Sequence, residues 1–146
     1  MRTLFDLTPT VARSLFGLVF LVFGLNGFFQ FLPQPPLPAE AGAFVGALFS
    51  AKYLFPLLKA TEVVAGALLL SGRFVPLALT LLAPIVVNIV GFHVALAPSP
   101  GMVAFLLAGE LYLAWTYRAA FRPLFVARAQ PLAATEPAPK GRLAPA

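Results

Sequence analysis

The chain contains no cysteine. That excludes disulfides, thiolate metal sites and paired-cysteine redox chemistry. Charge is scarce as well. Only 10% of the 146 residues are Asp, Glu, Lys or Arg, where a soluble domain carries roughly a quarter. Histidine occurs once, at His93, so ligation of a haem by two histidines is excluded. No haem, flavin or iron–sulfur motif is present, and no clustered spacing marks a metal site.

What fills the chain instead is apolar. Hydrophobic residues make up 60% of it, and the mean hydropathy is +0.92. A bilayer core about 30 Å thick takes about 20 apolar residues per helix. Four such spans with their connections use up the sequence. The expectation is one domain of the all-α class, an integral membrane four-helix bundle, with spans near 10–32, 54–70, 74–96 and 102–117. The net charge of +5 does not point to nucleic acid. The basic residues flank the apolar spans, where they set topology and meet lipid headgroups.

Local signals place the boundaries. Thr8 and Pro9 suit a helix cap and first turn. The first span reads as permanent, because Phe28, Phe29, Gln30 and Phe31 stand where a small-residue cleavage site would be needed. Gly17, Gly24 and Gly27 lie within it, and small residues let helices approach closely in lipid. Pro33, Pro35, Pro36 and Pro38 then break the chain. Residues 39–51 are too few to span, so a short interfacial or re-entrant helix is expected between spans one and two. Pro84 lies inside span three and frees the carbonyl one turn earlier, at Thr80. Trp115 suits an interfacial belt at the end of span four. The basic tail, 119–146, is expected to be largely disordered, chiefly beyond Gln130.

Orientation follows from Lys and Arg. Arg2, Arg13, Arg73, Arg118, Arg122, Arg128, Lys140 and Arg142 fall on one side, and Lys52 on the other. The expected location is a bacterial cytoplasmic (inner) membrane, with both termini cytoplasmic. Arg13 and Arg73 are read as anchors at that inner face.

Four ionisable residues lie inside apolar stretches: Lys59, Glu62, His93 and Glu110. Each costs a few kcal/mol there, so each needs a partner, a wet cavity or a role. Lys59 and Glu62 are three apart, on one helical face. They form either a self-neutralising pair or part of a ligand site. Glu110 has no basic neighbour in sequence, so as an anion it would need Lys59 or protonated His93. His93 suits a hydrogen-bonded interfacial residue, a proton relay or a donor to a carbonyl. A metal set of Glu62, Glu110 and His93 is the weaker alternative. Asn26 and Asn88 are expected to bond across helices first and to line a pocket second. Counting residues from the span ends puts Glu62, Asn88 and Glu110 at one depth, about 10–14 Å below the outer boundary. A polar pocket in the outer half of the bilayer is expected from this.

These segments together resemble the DoxX-like family of small four-helix bacterial membrane proteins. The resemblance runs from about Val11 to Trp115. It is carried by RSLFGLVFLVFGLNG from Arg13, YLFPLLKATEVVAGALLL from Tyr53, SGRFVPLA from Ser71 and APIVVNIVGFH from Ala83. The resemblance implies recurrent polar positions at Arg13, Asn26, Lys59, Glu62, Asn88 and His93. It also implies a membrane subunit of a quinone-linked redox complex, although no motif here is a catalytic signature. A quinone would then be the cofactor and a separate redox protein the partner, and the chain would not be an enzyme by itself. The alternatives are a small-solute or lipid binding and transport module, or a structural assembly subunit. Glycine-lined faces leave room for a homo-oligomer.

Overall fold

The structure is a computed structural model that describes residues 4–128. Within that range the chain is all-α. Helix α1 covers Leu4–Phe29, α2 Ala39–Ser50, α3 Leu54–Ser71, α4 Val75–Ala95, α5 Pro100–Thr116 and α6 Arg118–Phe121. A single 3₁₀ turn, Arg122–Phe125, follows. Three helical stretches, Thr8–Phe29, Leu54–Ser71 and Val75–Ala95, are long and apolar enough to cross a membrane. The helices α2 and α5 are apolar but shorter. The expected fourth span, 102–117, corresponds to α5, which has 17 residues.

Two boundaries differ from expectation. Helix α1 begins at Leu4, so Thr8 and Pro9 lie inside it rather than at its start. Pro9 is the sixth residue of α1, past the four N–H groups that have no helical partner, so it removes one i→i−4 hydrogen bond from the first turns. The tail is helical as far as Phe125 instead of irregular from residue 119. The expected disorder past Gln130 lies outside the described residues.

The tightest packing in the bundle joins α1 to α3. A Cβ placed on Gly66 would stand 2.6 Å from the backbone nitrogen of Leu21 and 2.8 Å from the carbonyl oxygen of Gly17. One placed on Gly24 would stand 2.9 Å from the backbone nitrogen of Val63. Only glycine permits this approach, in the manner of small-residue contacts between membrane helices. The glycines Gly17, Gly24, Gly27 and Gly66 are therefore used within the chain, where a contact between copies was the alternative. Around the crossing, Phe16, Phe20, Leu69, Leu79, Leu82 and Leu113 form the buried core.

Many large apolar side chains lie on the surface. Phe29, Leu57, Val64, Val87 and Leu111 are each at least half exposed. Their number on one small chain suits contact with lipid better than with water.

Arg13 has a different place from the expected headgroup anchor. Its guanidinium donates to the carbonyls of Leu69 and Leu70, the latter at 3.1 Å. These are last-turn carbonyls of α3, where the regular helical bonds run out; that of Leu69 also accepts the N–H of Gly72, at 3.2 Å. A cation there also suits the negative end of the helix dipole. The turn beyond reverses through Gly72 at φ 72° and Phe74 at φ 55°. Arg73 is exposed in that turn, its backbone N–H bonded to the Ser71 hydroxyl at 3.2 Å.

Candidate functional site

Helix α3 carries the polar centre. Lys59 and Glu62, one turn apart, project from the face that meets α1. Gly24 and Gly27 oppose them, and a side chain at either position would collide with Glu62 or Lys59. The glycines of α1 thus make the slot in which the pair lies. The Lys59 ammonium donates to both carboxylate oxygens of Glu62, at 2.9 and 3.0 Å. Glu62 is 1% exposed and the Lys59 side chain 17%. The ammonium also stands 5.7 Å from the centre of the Phe55 ring, a cation–π contact.

The pair forms one wall of a cavity of about 280 Å³. That is near the lower end of the range for small-molecule sites. Phe20 and Phe23 line it from α1, Phe55 and Leu58 from α3, and Asn88, Phe92 and His93 from α4. Met102 and Leu106 close it from α5. The short helix α2 covers one side through Phe44, Val45 and Leu48. Aromatic contacts hold this cover: Phe44 lies 5.8 Å from Phe92, and Phe49 stacks on Phe55 at 4.0 Å. Sequence reasoning did not find this role for α2, whose only available signals were its length and its Phe44–Leu48 spacing.

Polar capacity remains unused in the cavity. An ammonium has three N–H donors, and only two of those on Lys59 go to Glu62. Nδ1 of His93 is buried with no hydrogen-bond partner among the described residues. The Asn88 side chain is exposed and likewise makes no hydrogen bond among them. An apolar, aromatic chamber with a few converging polar groups is the usual form of a small-ligand site.

Two of the expected pocket residues lie elsewhere. Asn26 is buried, but it does not bond across helices. Its side-chain oxygen accepts the N–H of Leu32 at 2.7 Å, and its carbonyl accepts that of Gln30 at 2.8 Å. It ties down the chain where α1 ends, because the reversal at Gln30, φ 49°, turns the next N–H groups back toward it.

Glu110 lines a separate cavity between α4 and α5. Helix α5 starts two residues before the expected boundary, so Glu110 sits ten residues, about 15 Å, into the helix. Leu106, one turn earlier, lines the first cavity, and Glu110 the second. The metal set of Glu62, His93 and Glu110 is accordingly not assembled. Among the described residues no three His, Cys, Asp or Glu side chains come together to hold an ion. Trp115 is exposed at the end of α5, with the Arg118 guanidinium 4.8 Å above its ring.

The fold and the cavity define a class: a small all-α bundle of apolar helices with a lipid-suited surface and a cavity walled on one side by an ion pair. Comparison with family models, with curated proteins and with solved structures finds no match for the chain.

Proposed function

We propose that the chain is a four-span membrane protein of the DoxX-like type whose first cavity binds a neutral, lipid-soluble carbonyl compound of the quinone class. The observation that carries this reading is the unspent polar capacity around an aromatic chamber. Lys59, with its third N–H, His93, with its unpartnered Nδ1, and Asn88 all line the same space. A quinone ring has a flat apolar body and carbonyl oxygens that accept such donors. It carries no net charge, so it reaches the site through the bilayer.

In this reading α5 serves as a short fourth span, α2 lies at the outer interface, and both termini face the cytoplasm of a bacterial cell. The chain has no electron-carrying motif of its own. It acts as a membrane subunit, and a partner redox protein supplies or takes the electrons. His93 or Lys59 holds a quinone carbonyl, while the Lys59–Glu62 pair keeps a charge-balanced wall beside it. Purified protein titrated with a short-chain benzoquinone tests the site. His93→Leu should weaken binding roughly tenfold, the effect of one lost hydrogen bond. Unchanged affinity would sink the assignment of His93 to the ligand.

One observation favours a second reading, a structural assembly subunit. The Lys59–Glu62 pair satisfies itself, with both carboxylate oxygens bonded, as a register-fixing element would. There, Glu62→Gln lowers thermal stability and changes no ligand binding. Transport of a small solute has no comparable support from the geometry.

A further inference from the structure

The cavity beside Glu110 is independent of the site just described. It measures about 500 Å³ and lies between the first half of α4 and the second half of α5. Leu79, Leu111, Trp115 and Phe121 give it apolar and aromatic walls, and Arg118 stands at the α6 end. Glu110 lines it, and Oε2 of its carboxyl is buried without a hydrogen-bond partner among the described residues. The guanidinium of Arg118 does not supply one. Its Nη1 donates to the Trp115 carbonyl at 2.9 Å, and its Cζ stands 4.8 Å from the centre of the Trp115 ring.

A buried carboxyl oxygen left bare loses the hydrogen bond that water would give it. The group that restores the bond must enter with an occupant whose remaining surface is apolar. We infer that this cavity binds a neutral, apolar alcohol or phenol, with its hydroxyl on Glu110 and its body against Trp115 and Phe121. Three features select a hydroxyl. It both donates and accepts, so it pairs with a carboxyl oxygen in either protonation state. It is uncharged, whereas an ammonium would meet repulsion from Arg118 in the same cavity. A carbonyl compound only accepts, and would leave an ionised Glu110 without a donor.

Trp115 is the only tryptophan of the chain and lines the cavity; because it is 69% exposed it also meets quencher in the detergent, so occupancy is read as the difference between the parent and the Glu110→Leu chain. The full chain in mild detergent is titrated with a short brominated alkanol, with the bromoalkane of equal length and with the matching bromoalkylammonium, since bromine quenches tryptophan on contact. The alkanol should half-quench Trp115 at roughly one-tenth the concentration needed by the bromoalkane, the worth of one hydrogen bond. Glu110→Leu should erase that difference. Ala83→Leu, which fills the cavity from α4, should reduce quenching by the alkanol in a chain that keeps Glu110. Equal quenching by alkanol and bromoalkane would overturn the inference, leaving an apolar groove whose carboxyl is served by water. Stronger quenching by the ammonium would overturn it too, in favour of a cation site.

Discussion

Lys59→Met is expected to destabilise the protein by about 3–5 kcal/mol, the usual cost of removing one partner from a buried ion pair. Glu62 is 1% exposed, and both of its oxygens bond only to Lys59. Without the ammonium, a carboxylate stays among Val63, Gly24 and the cavity wall with nothing to balance it. Adding Glu62→Leu to Lys59→Met should return most of the loss, because an apolar pair of similar volume needs no compensation. The check is thermal or chemical unfolding of the three proteins in one detergent. A single variant as stable as the parent would mean that the pair does not carry the local structure assigned to it. The double variant has a second use. It should fold but fail to bind a quinone, which separates the stability of the slot from the chemistry of the cavity.

The second large effect belongs to a residue with no side chain. Gly66→Ala is expected to cost about 3 kcal/mol or more, at the upper end of overpacking penalties. The added methyl would meet backbone atoms of Leu21 and Gly17, at 2.6 and 2.8 Å. Backbone inside a helix cannot swing aside as a side-chain tip can, so α1 and α3 must separate. Separation widens the slot around Lys59 and Glu62 and opens the wall of the first cavity. Gly46→Ala is the matched control. Nothing lies within 4 Å of its added methyl, and alanine in a helix is favoured over glycine by roughly 0.5–1 kcal/mol. Opposite shifts in unfolding midpoint are expected for the two variants. Equal, small shifts would contradict the close α1–α3 crossing.

Much of the architecture was legible from periodicity and punctuation. The proline cluster before residue 39, the Ser71–Arg73 turn and the length of 39–51 located α2, α3 and α4 to within a residue or two. The Lys59–Glu62 pair was legible for the same reason, since a spacing of three puts two side chains on one helical face whatever surrounds them. Glu110 lines the second cavity and not the first, although its count from the start of the helix shifts by only two residues, about 3 Å. Depth says nothing about which side of a core leucine a side chain opens. Leu106 and Glu110 are a single turn apart and still face different cavities. Arg13 was read as a lipid anchor because its partners, the carbonyls of Leu69 and Leu70, lie more than fifty residues away in sequence. The spacing of Gly17 and Gly24 foretold a close helix contact. It did not foretell that the contact would house the ion pair, which depends on the register of α1 against α3.

The most direct test of the proposed function is mass spectrometry of the organic extract from protein purified in mild detergent, with an ultraviolet–visible spectrum of the same sample. The first cavity, with its free donors and aromatic walls, predicts roughly one quinone for each chain, lost when Lys59 and Glu62 are replaced together. An extract containing only bulk phospholipid would contradict the quinone site and leave the Lys59–Glu62 pair as a structural element of the bundle.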